Sequence, residues 1–153
     1  TRYFESYKKA IMAIGVSHTE KNPLFSPSVS VKLSALHPRY EWAQPERLET
    51  EMLPRLVELV ETAAQHQVGL TLDAEETERL ELSLGFVEKI ISLPALKNYA
   101  GFGIAVQAYQ KRAPAVLDVG EVLARHVDRE RELFLAHFHR DPCLAQCRAD
   151  RFV

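Results

Sequence analysis

The sequence has few of the features that mark membrane, nucleic-acid-binding or disulfide-linked proteins. It has two cysteines among 153 residues, which is too few for a disulfide framework and favours the reducing cytosol. No apolar run approaches the roughly 18 residues that a membrane-spanning helix needs. The formal net charge is −2 and no basic face dominates, which argues against nucleic acid as a partner.

The hydrophobic content favours one soluble globular domain. Apolar residues make up 46% of the chain, enough for a core at this length. The chain begins with Thr1, and its opening stretch has aromatic and charged residues where the apolar part of a signal peptide would lie. We therefore expect a piece of a longer protein.

Strands and helices alternate along the chain. Periodicity predicts a first helix over residues 2–16 and strands over 29–33, 68–73 and 102–109, with Gly69 at the turn before the second strand. Helices are predicted over 45–66, from 76 onwards and over 113–125. This order is typical of parallel β-α units, in either a doubly wound sheet or the first part of a (β/α)8 barrel. No G-x-G-x-x-G follows a strand, which weakens the dinucleotide-binding alternative.

The sequence also predicts where one helix is disturbed and which faces of two helices are buried. Pro54 should bend the helix over 45–66 or mark its true start. Apolar stripes are expected to face inward on the two later helices: Leu80, Leu84, Val87, Ile90 and Ile91 on one, and Val116, Val119, Val122 and Leu123 on the other.

Each predicted strand places one polar side chain near its carboxyl end: Lys32, Asp73 and Gln107. Ligand sites of parallel α/β folds lie at this edge of the sheet. A lysine in a buried strand is unfavourable, since burying an unpaired ammonium lowers the stability of the fold by roughly several kcal/mol. We expect Lys32 to pair across the site and to serve an anionic group. The alternative is that Lys32 points at water from a half-exposed strand.

Other residues near the strand ends are expected to be structural. His37 and Arg39 are read as solvated loop residues, and Trp42 as a packing residue. Glu75 and Glu76 are expected to cap the start of the following helix, where carboxylates meet the positive end of the helix dipole.

Three long motifs carry a family resemblance. "SVKLSALHPRYEWAQ", "LTLDAEETERLELSL" and "GFGIAVQAYQKRAP" resemble the proline dehydrogenase domain of the bacterial bifunctional proline utilization A family, in the right order over about residues 2–125. The resemblance implies a (β/α)8 barrel with FAD at the carboxyl ends of the strands. It also implies oxidation of L-proline to Δ1-pyrroline-5-carboxylate, with a quinone accepting the electrons from the parent enzyme. The implied location is cytoplasmic, and the parent could associate peripherally with the inner membrane.

The resemblance also implies roles for particular residues. Lys32 and Asp73 match the catalytic and substrate-binding residues, with Lys32 at the proline carboxylate and Asp73 organising the charges around it. Ala74 matches a small residue beside the substrate. Gln107 matches a glutamine that hydrogen-bonds the polar edge of the flavin. No metal is implied.

The pattern of the family stops before the end of the chain. Residues 1–126 are expected to form a partial barrel of about three strands, and residues 127–153 an atypical, divergent tail without the family's fourth strand. We therefore expect the chain to be inactive alone. The alternative is a non-catalytic truncated α/β piece whose tail binds zinc through four candidate ligands: His137, His139, Cys143 and Cys147.

Overall fold

A computed structural model describes residues 2–20, 22–23 and 25–127, with side chains up to residue 120. The chain divides into two compact units, Thr1–Ala105 and Val106–Val153. The predicted tail and its four candidate zinc ligands lie outside the described residues. Among the residues that are described, no helix is long and apolar enough to cross a membrane.

The first unit alternates helices with short strands. It begins with helix α1, and helices and two 3-10 turns separate the strands. The elements of this unit are α1 (Arg2–Ser17), β1 (Ser28–Val31), α2 (Leu33–Leu36), α3 (Pro45–Arg47), a π turn (Leu48–Met52), α4 (Leu53–His66), β2 (Gly69–Leu72), a 3-10 turn (Thr77–Arg79), α5 (Leu80–Ile91), a second 3-10 turn (Pro94–Leu96) and β3 (Phe102–Ile104).

The described strands form a parallel sheet in the order β1-β2-β3. Helices connect consecutive strands, as parallel neighbours require. Strand β2 pairs on both sides and is almost entirely buried, whereas β1 buries only Val31. Helices α1 and α4 pack together, and the core also takes side chains from the strands and α5: Ile11, Leu56, Leu59, Val60, Leu70, Leu72 and Ile90. The α/β prediction with parallel β-α units is confirmed.

The helix predicted over 45–66 is interrupted by the π turn. Pro54 has no N–H to give to the carbonyl four residues earlier, and its ring crowds that carbonyl. The N–H of Leu53 instead reaches the oxygen of Leu48, five residues back. Helix α4 then begins with Pro54 in its first turn, where a missing N–H is harmless. Of the two outcomes predicted for Pro54, a bend or a true start, the structure gives a π turn within a continuous helical run, after which α4 begins at Leu53.

The turn into β2 differs from the prediction. Gln67, not Gly69, ends α4 in the left-handed conformation, with φ of 55°. Its backbone N–H donates to the oxygens of Ala63 and Ala64, and its side-chain Nε2 donates to Ala64 at 2.7 Å. These bonds satisfy the last carbonyls of α4 and offset the strain at Gln67. Gly69 is the first residue of the strand.

The buried stripe of α5 lies one step away from the predicted one. The buried side chains are Leu82, Ser83, Phe86, Val87 and Ile90, whereas Leu80 and Leu84 are half-buried. Positions 82, 86 and 90 follow each other at four-residue intervals along one face. The prediction was correct for Val87 and Ile90 and wrong for the centre of the stripe.

The second unit is described up to Val127 and contains helix α6 (Ala113–Val127). Its predicted inward stripe is wrong at Val119, which is 44% exposed, while Val116 and Leu117 are buried. The face that contains Ala113, Val116 and Leu117 points well away from Val119 at 100° per residue. The side chains of Val122 and Leu123 lie outside the described ones.

Candidate functional site

The candidate site begins where β1 and β2 end side by side. Val31 and Leu72 are the paired last residues of the two strands, so Lys32 and Asp73 follow at the same level of the sheet. The backbone N–H of Asp73 donates to the Val31 oxygen at 2.9 Å. Beyond this bond, Nζ of Lys32 lies 3.8 Å from Oδ2 of Asp73. Two of the predicted site residues are therefore close together at the carboxyl edge of the sheet.

Lys32 does not bear the burial cost that its place in a strand pattern would suggest. The strand ends one residue earlier, and 58% of the Lys32 side chain is exposed, against 38% for Asp73. The predicted first strand was therefore too long at its end. An exposed ion pair of this kind contributes only about 0–1 kcal/mol to stability. The distance between Nζ and Oδ2 also exceeds the roughly 2.7–2.9 Å of a charge-assisted hydrogen bond. The ion pair with Asp73 alone therefore does not explain why a lysine stands at position 32.

A half-buried tyrosine and a nearly buried carboxylate support the loops behind this pair. The backbone N–H of Lys32 donates to the Tyr7 hydroxyl of α1 at 3.3 Å. Glu75, with 7% of its side chain exposed, accepts a hydrogen bond on Oε1 from the Ser34 N–H at 3.0 Å. Glu75 was expected to cap the helix that follows it. Its carboxylate also caps the first turn of α2, a partner that was not predicted.

Arg79 joins the loop after β2 to Tyr40. Its Nη1 lies 3.5 Å from Oε2 of Glu75 and 3.0 Å from Oε2 of Glu76. Its guanidinium carbon lies 5.5 Å from the centre of the Tyr40 ring. Tyr40 is buried, and its hydroxyl is 2.7 Å from Oγ of Ser83. Burial raises the pKa of Tyr40 to about 12, because the phenolate would lose its hydration.

His37 is structural, and the expectation that it is solvated is wrong. The side chain is buried, with Nε2 3.2 Å from Oε2 of Glu51 and Nδ1 accepting from the Arg39 N–H at 3.2 Å. Because Nδ1 accepts, Nε2 is the ring nitrogen that donates to Glu51. Hydrogen bonds from Arg47 and then from His37 lower the pKa of Glu51. The loop after β1 is thereby fixed to the π turn.

Trp42 reaches from the same loop to the next β-α connection. Its indole Nε1 donates to the Glu78 oxygen at 3.0 Å, and 53% of the residue is exposed. The packing role expected for Trp42 is thus replaced by a surface hydrogen bond between two loops.

Ala74 and Gln107 complete the set of predicted site residues. Ala74 is half-buried and lies between Asp73 and Glu75 in the loop after β2. Gln107 lies three residues beyond the end of β3, which is shorter than predicted, and belongs to the second unit. Within that unit, Oε1 of Gln107 accepts from Nε2 of Gln110, and Oε1 of Gln110 accepts from Nε of Arg112 at 3.2 Å.

Metal ligands are not gathered anywhere in the described part of the chain: no group of three His, Cys, Asp or Glu side chains there could hold an ion. The network that sequence reasoning missed consists of Tyr40, Glu75, Arg79 and Ser83. In the sequence, Glu75, Glu76 and Arg79 form a pattern that is typical of the start of a helix. The pattern does not reveal that the carboxylate crosses to Ser34.

Comparison with known proteins gives the same family from sequence and from structure. The family model described as "Proline dehydrogenase" matches residues 1–133. The bifunctional protein PutA of Escherichia coli K12 is 47% identical over 116 residues, which are 76% of this chain and 9% of that protein. The PutA of Rhizobium meliloti is 43% identical over 128 residues, 84% of this chain and 10% of that protein.

A solved structure of proline utilization A from Bradyrhizobium japonicum superposes with a TM-score of 0.80 at 46% identity. The match covers 83% of this chain and 13% of that one. The chain thus spans about a tenth of the length of the curated relatives that it matches. With a family model that matches most of its residues and relatives above 40% identity, this chain belongs to the proline dehydrogenase family.

Proposed function

We propose that this chain carries part of a site that oxidises L-proline to Δ1-pyrroline-5-carboxylate with FAD as cofactor. The observation that carries the proposal is the approach of Lys32 Nζ to Asp73 Oδ2 at the ends of adjacent parallel strands. Family membership supports proline as the substrate.

Lys32 suits the carboxylate of proline. An ammonium is a compact charge with three donors, and its loose contact with Asp73 leaves it able to take a second anionic partner. Asp73 balances the cation when the substrate is absent and holds it at the strand end. Ala74, next in sequence, offers a methyl group where a larger side chain would obstruct the ring of the substrate.

Gln107 suits the polar edge of a flavin. An amide both donates and accepts hydrogen bonds, and the contact with Gln110 fixes its orientation. The chemistry of these side chains fits FAD, which when bound supplies the acceptor for the hydride that leaves the proline carbon next to nitrogen. The residues of this chain would bind and orient the reactants.

The proposed architecture is a partial barrel. Residues 1–126 would be the first part of a (β/α)8 barrel, and residues 127–153 a divergent tail. In the parent enzyme the electrons would pass to a quinone, with the enzyme in the cytoplasm and peripheral at the inner membrane. The chain alone would then lack much of the flavin site and be inactive.

A segment replacement tests the proposed function. The 116-residue segment of the Escherichia coli relative that matches this chain is exchanged for the residues of this chain, and the hybrid is purified. We expect bound FAD and proline-dependent reduction of a quinone analogue. A folded hybrid with full flavin content that does not oxidise proline would contradict the proposal.

A further inference from the structure

Glu75 is a nearly buried carboxylate whose bonds join the two loops of the candidate site. It follows Asp73 by two residues, and its hydrogen-bond partner, the N–H of Ser34, follows Lys32 by two residues. Burying a carboxylate is costly unless it is paired and hydrogen-bonded. Here the Ser34 N–H and the Arg79 guanidinium offset that cost.

Three successive contacts connect the ends of β1 and β2. The Asp73 N–H donates to the Val31 oxygen at 2.9 Å, Lys32 Nζ lies 3.8 Å from Asp73 Oδ2, and the Ser34 N–H donates to Glu75 at 3.0 Å. The weak, exposed contact in the middle is therefore bracketed by two hydrogen bonds. The outer bonds fix the backbone on both sides of Lys32 and Asp73.

The carboxylate of Glu75 is itself held. Arg79 contacts it from the next turn, and the guanidinium lies over the buried ring of Tyr40. A cation is attracted to the face of an aromatic ring, so Arg79 is also held by Tyr40, independently of Glu75. Glu76 offers a second anion to Arg79 but has an exposed side chain. Arg79 lies closer to Glu76, at 3.0 Å, than to Glu75, at 3.5 Å. Glu75 is singled out by its burial and by the hydrogen bond that it accepts from the Ser34 N–H.

We propose that Glu75 is a positioning residue that sets the distance between Lys32 and Asp73 and so orients Lys32 towards the substrate carboxylate. This inference rests on the proposed function of Lys32. It adds a residue that touches neither substrate nor flavin and acts through the backbone at Ser34.

The test compares Glu75→Ala and Glu75→Gln with the matched control Glu76→Ala. Glu76 shares the Arg79 partner but has no contact with Ser34 among those described. In the hybrid enzyme, loss of positioning should raise KM for proline about tenfold and change kcat less than about twofold. The reason is that the contact with the substrate carboxylate is the same in the ground state and in the transition state, so its loss weakens binding and leaves the chemical step unchanged. Glu75→Gln can still accept from Ser34 and should raise KM less. Glu76→Ala should leave KM unchanged.

A double-variant cycle separates positioning from a general structural role. If Glu75 acts through Lys32, Glu75→Ala should have no further effect on KM in a Lys32→Ala background. Equal effects of Glu75→Ala with and without Lys32 would overturn the inference. An effect of Lys32→Ala on KM without any effect of Glu75→Ala would overturn it as well.

Hydrogen exchange of the 153-residue chain tests the same link without activity. Amides in the peptide over residues 33–37 should exchange about tenfold faster in Glu75→Ala than in Glu76→Ala, since the Ser34 N–H loses its acceptor. Unchanged exchange would overturn the inference. Faster exchange with no effect of Lys32→Ala on KM would keep the structural link but refute the proposed function of Lys32, and with it the orienting role of Glu75.

Discussion

Gly15 of α1 lies so close to His66 of α4 that a Cβ at Gly15 would stand 2.6 Å from the His66 Cβ. The Cβ of His66 is attached to the backbone of α4 and cannot rotate away. We expect Gly15→Ala to push the two helices apart and to lower the free energy of unfolding by about 1–3 kcal/mol. Denaturant unfolding of the chain measures this, and an unchanged midpoint would contradict the packing of α1 on α4.

Gly85 offers the opposite case in α5. In the part of the chain that the structure describes, no atom beyond the adjoining residues and the backbone of α5 lies within 4 Å of a Cβ built there, so alanine would meet no obstacle. We expect Gly85→Ala to raise the free energy of unfolding by about 0.5–1 kcal/mol, because alanine loses less backbone entropy in a helix. The same unfolding assay compares both variants, and a loss of stability here would place another group against α5.

Tyr40 predicts a loss of stability at alkaline pH. Burial raises its pKa from 10.0 to about 12. Since the pKa in the folded state is the higher one, this stabilisation is complete below pH 10 and is lost as the pH rises from 10 towards 12. As the pH rises above 10, the unfolding midpoint of Tyr40→Phe should fall less steeply than that of the unsubstituted chain. Tyr109→Phe is the control, since Tyr109 is 81% exposed, and it should follow the parent profile.

Lys32→Ala tests the binding of the substrate carboxylate. In the hybrid enzyme we expect KM for proline to rise by about ten- to a hundredfold, from the loss of one charged hydrogen bond worth roughly 1.5–3 kcal/mol. Flavin content should stay nearly intact. Lys9→Ala removes an exposed lysine of α1 and should leave KM unchanged. A Lys32→Ala enzyme with the original KM would remove the role proposed for Lys32.

The 153-residue chain by itself should purify without flavin absorbance and should not oxidise proline. Of the polar groups that the family resemblance assigns to the site, the chain supplies Lys32, Asp73 and Gln107. A flavin or substrate contact that the rest of the parent barrel would supply is absent from this chain. Each such charged contact is worth roughly 1.5–3 kcal/mol of binding free energy, about one to two decades of affinity. A monomer with one tightly bound FAD and activity towards proline would show that this expectation is wrong.

The order of elements and the proximity of Lys32 and Asp73 could be predicted from the sequence for one reason. Parallel strands place their carboxyl ends at one edge, so residues that follow two paired strands must be neighbours. The prediction needed only the period of each strand and the rule that β-α units form parallel strands. It did not need the packing of any particular side chain.

The link from Glu75 to Ser34 could not be predicted in this way. Glu75 precedes a helix, and carboxylates there commonly cap that helix, so the local rule does not point to a partner in another loop. The position of the donor, the Ser34 N–H, depends on the short helix α2, which begins directly after Lys32. A four-residue helix is too short for periodicity to reveal.

The environment of His37 was missed for a related reason. In sequence it precedes a proline in a polar loop, and such residues are usually solvated. The structure buries it because Glu51, in the π turn, reaches Nε2. That turn exists because Pro54 disrupts the helix downstream. The burial of one histidine therefore depends on a proline that lies far along the chain.

The chain order of the strands has a consequence for synthesis. Strands β2 and β3 each pair with the described strand made just before them: Gly69 with Ser28, and Phe102 with Leu70. At about 5–20 residues per second on the ribosome, β2 emerges about 2–8 s after β1. Hydrophobic collapse takes microseconds, so β1 and α1 remain without the strand β2 and the helix α4 that cover them for most of this interval. The order of translation is then also the order of assembly, and slow codons between β1 and β2 would prolong the interval in which the edge of β1 is exposed.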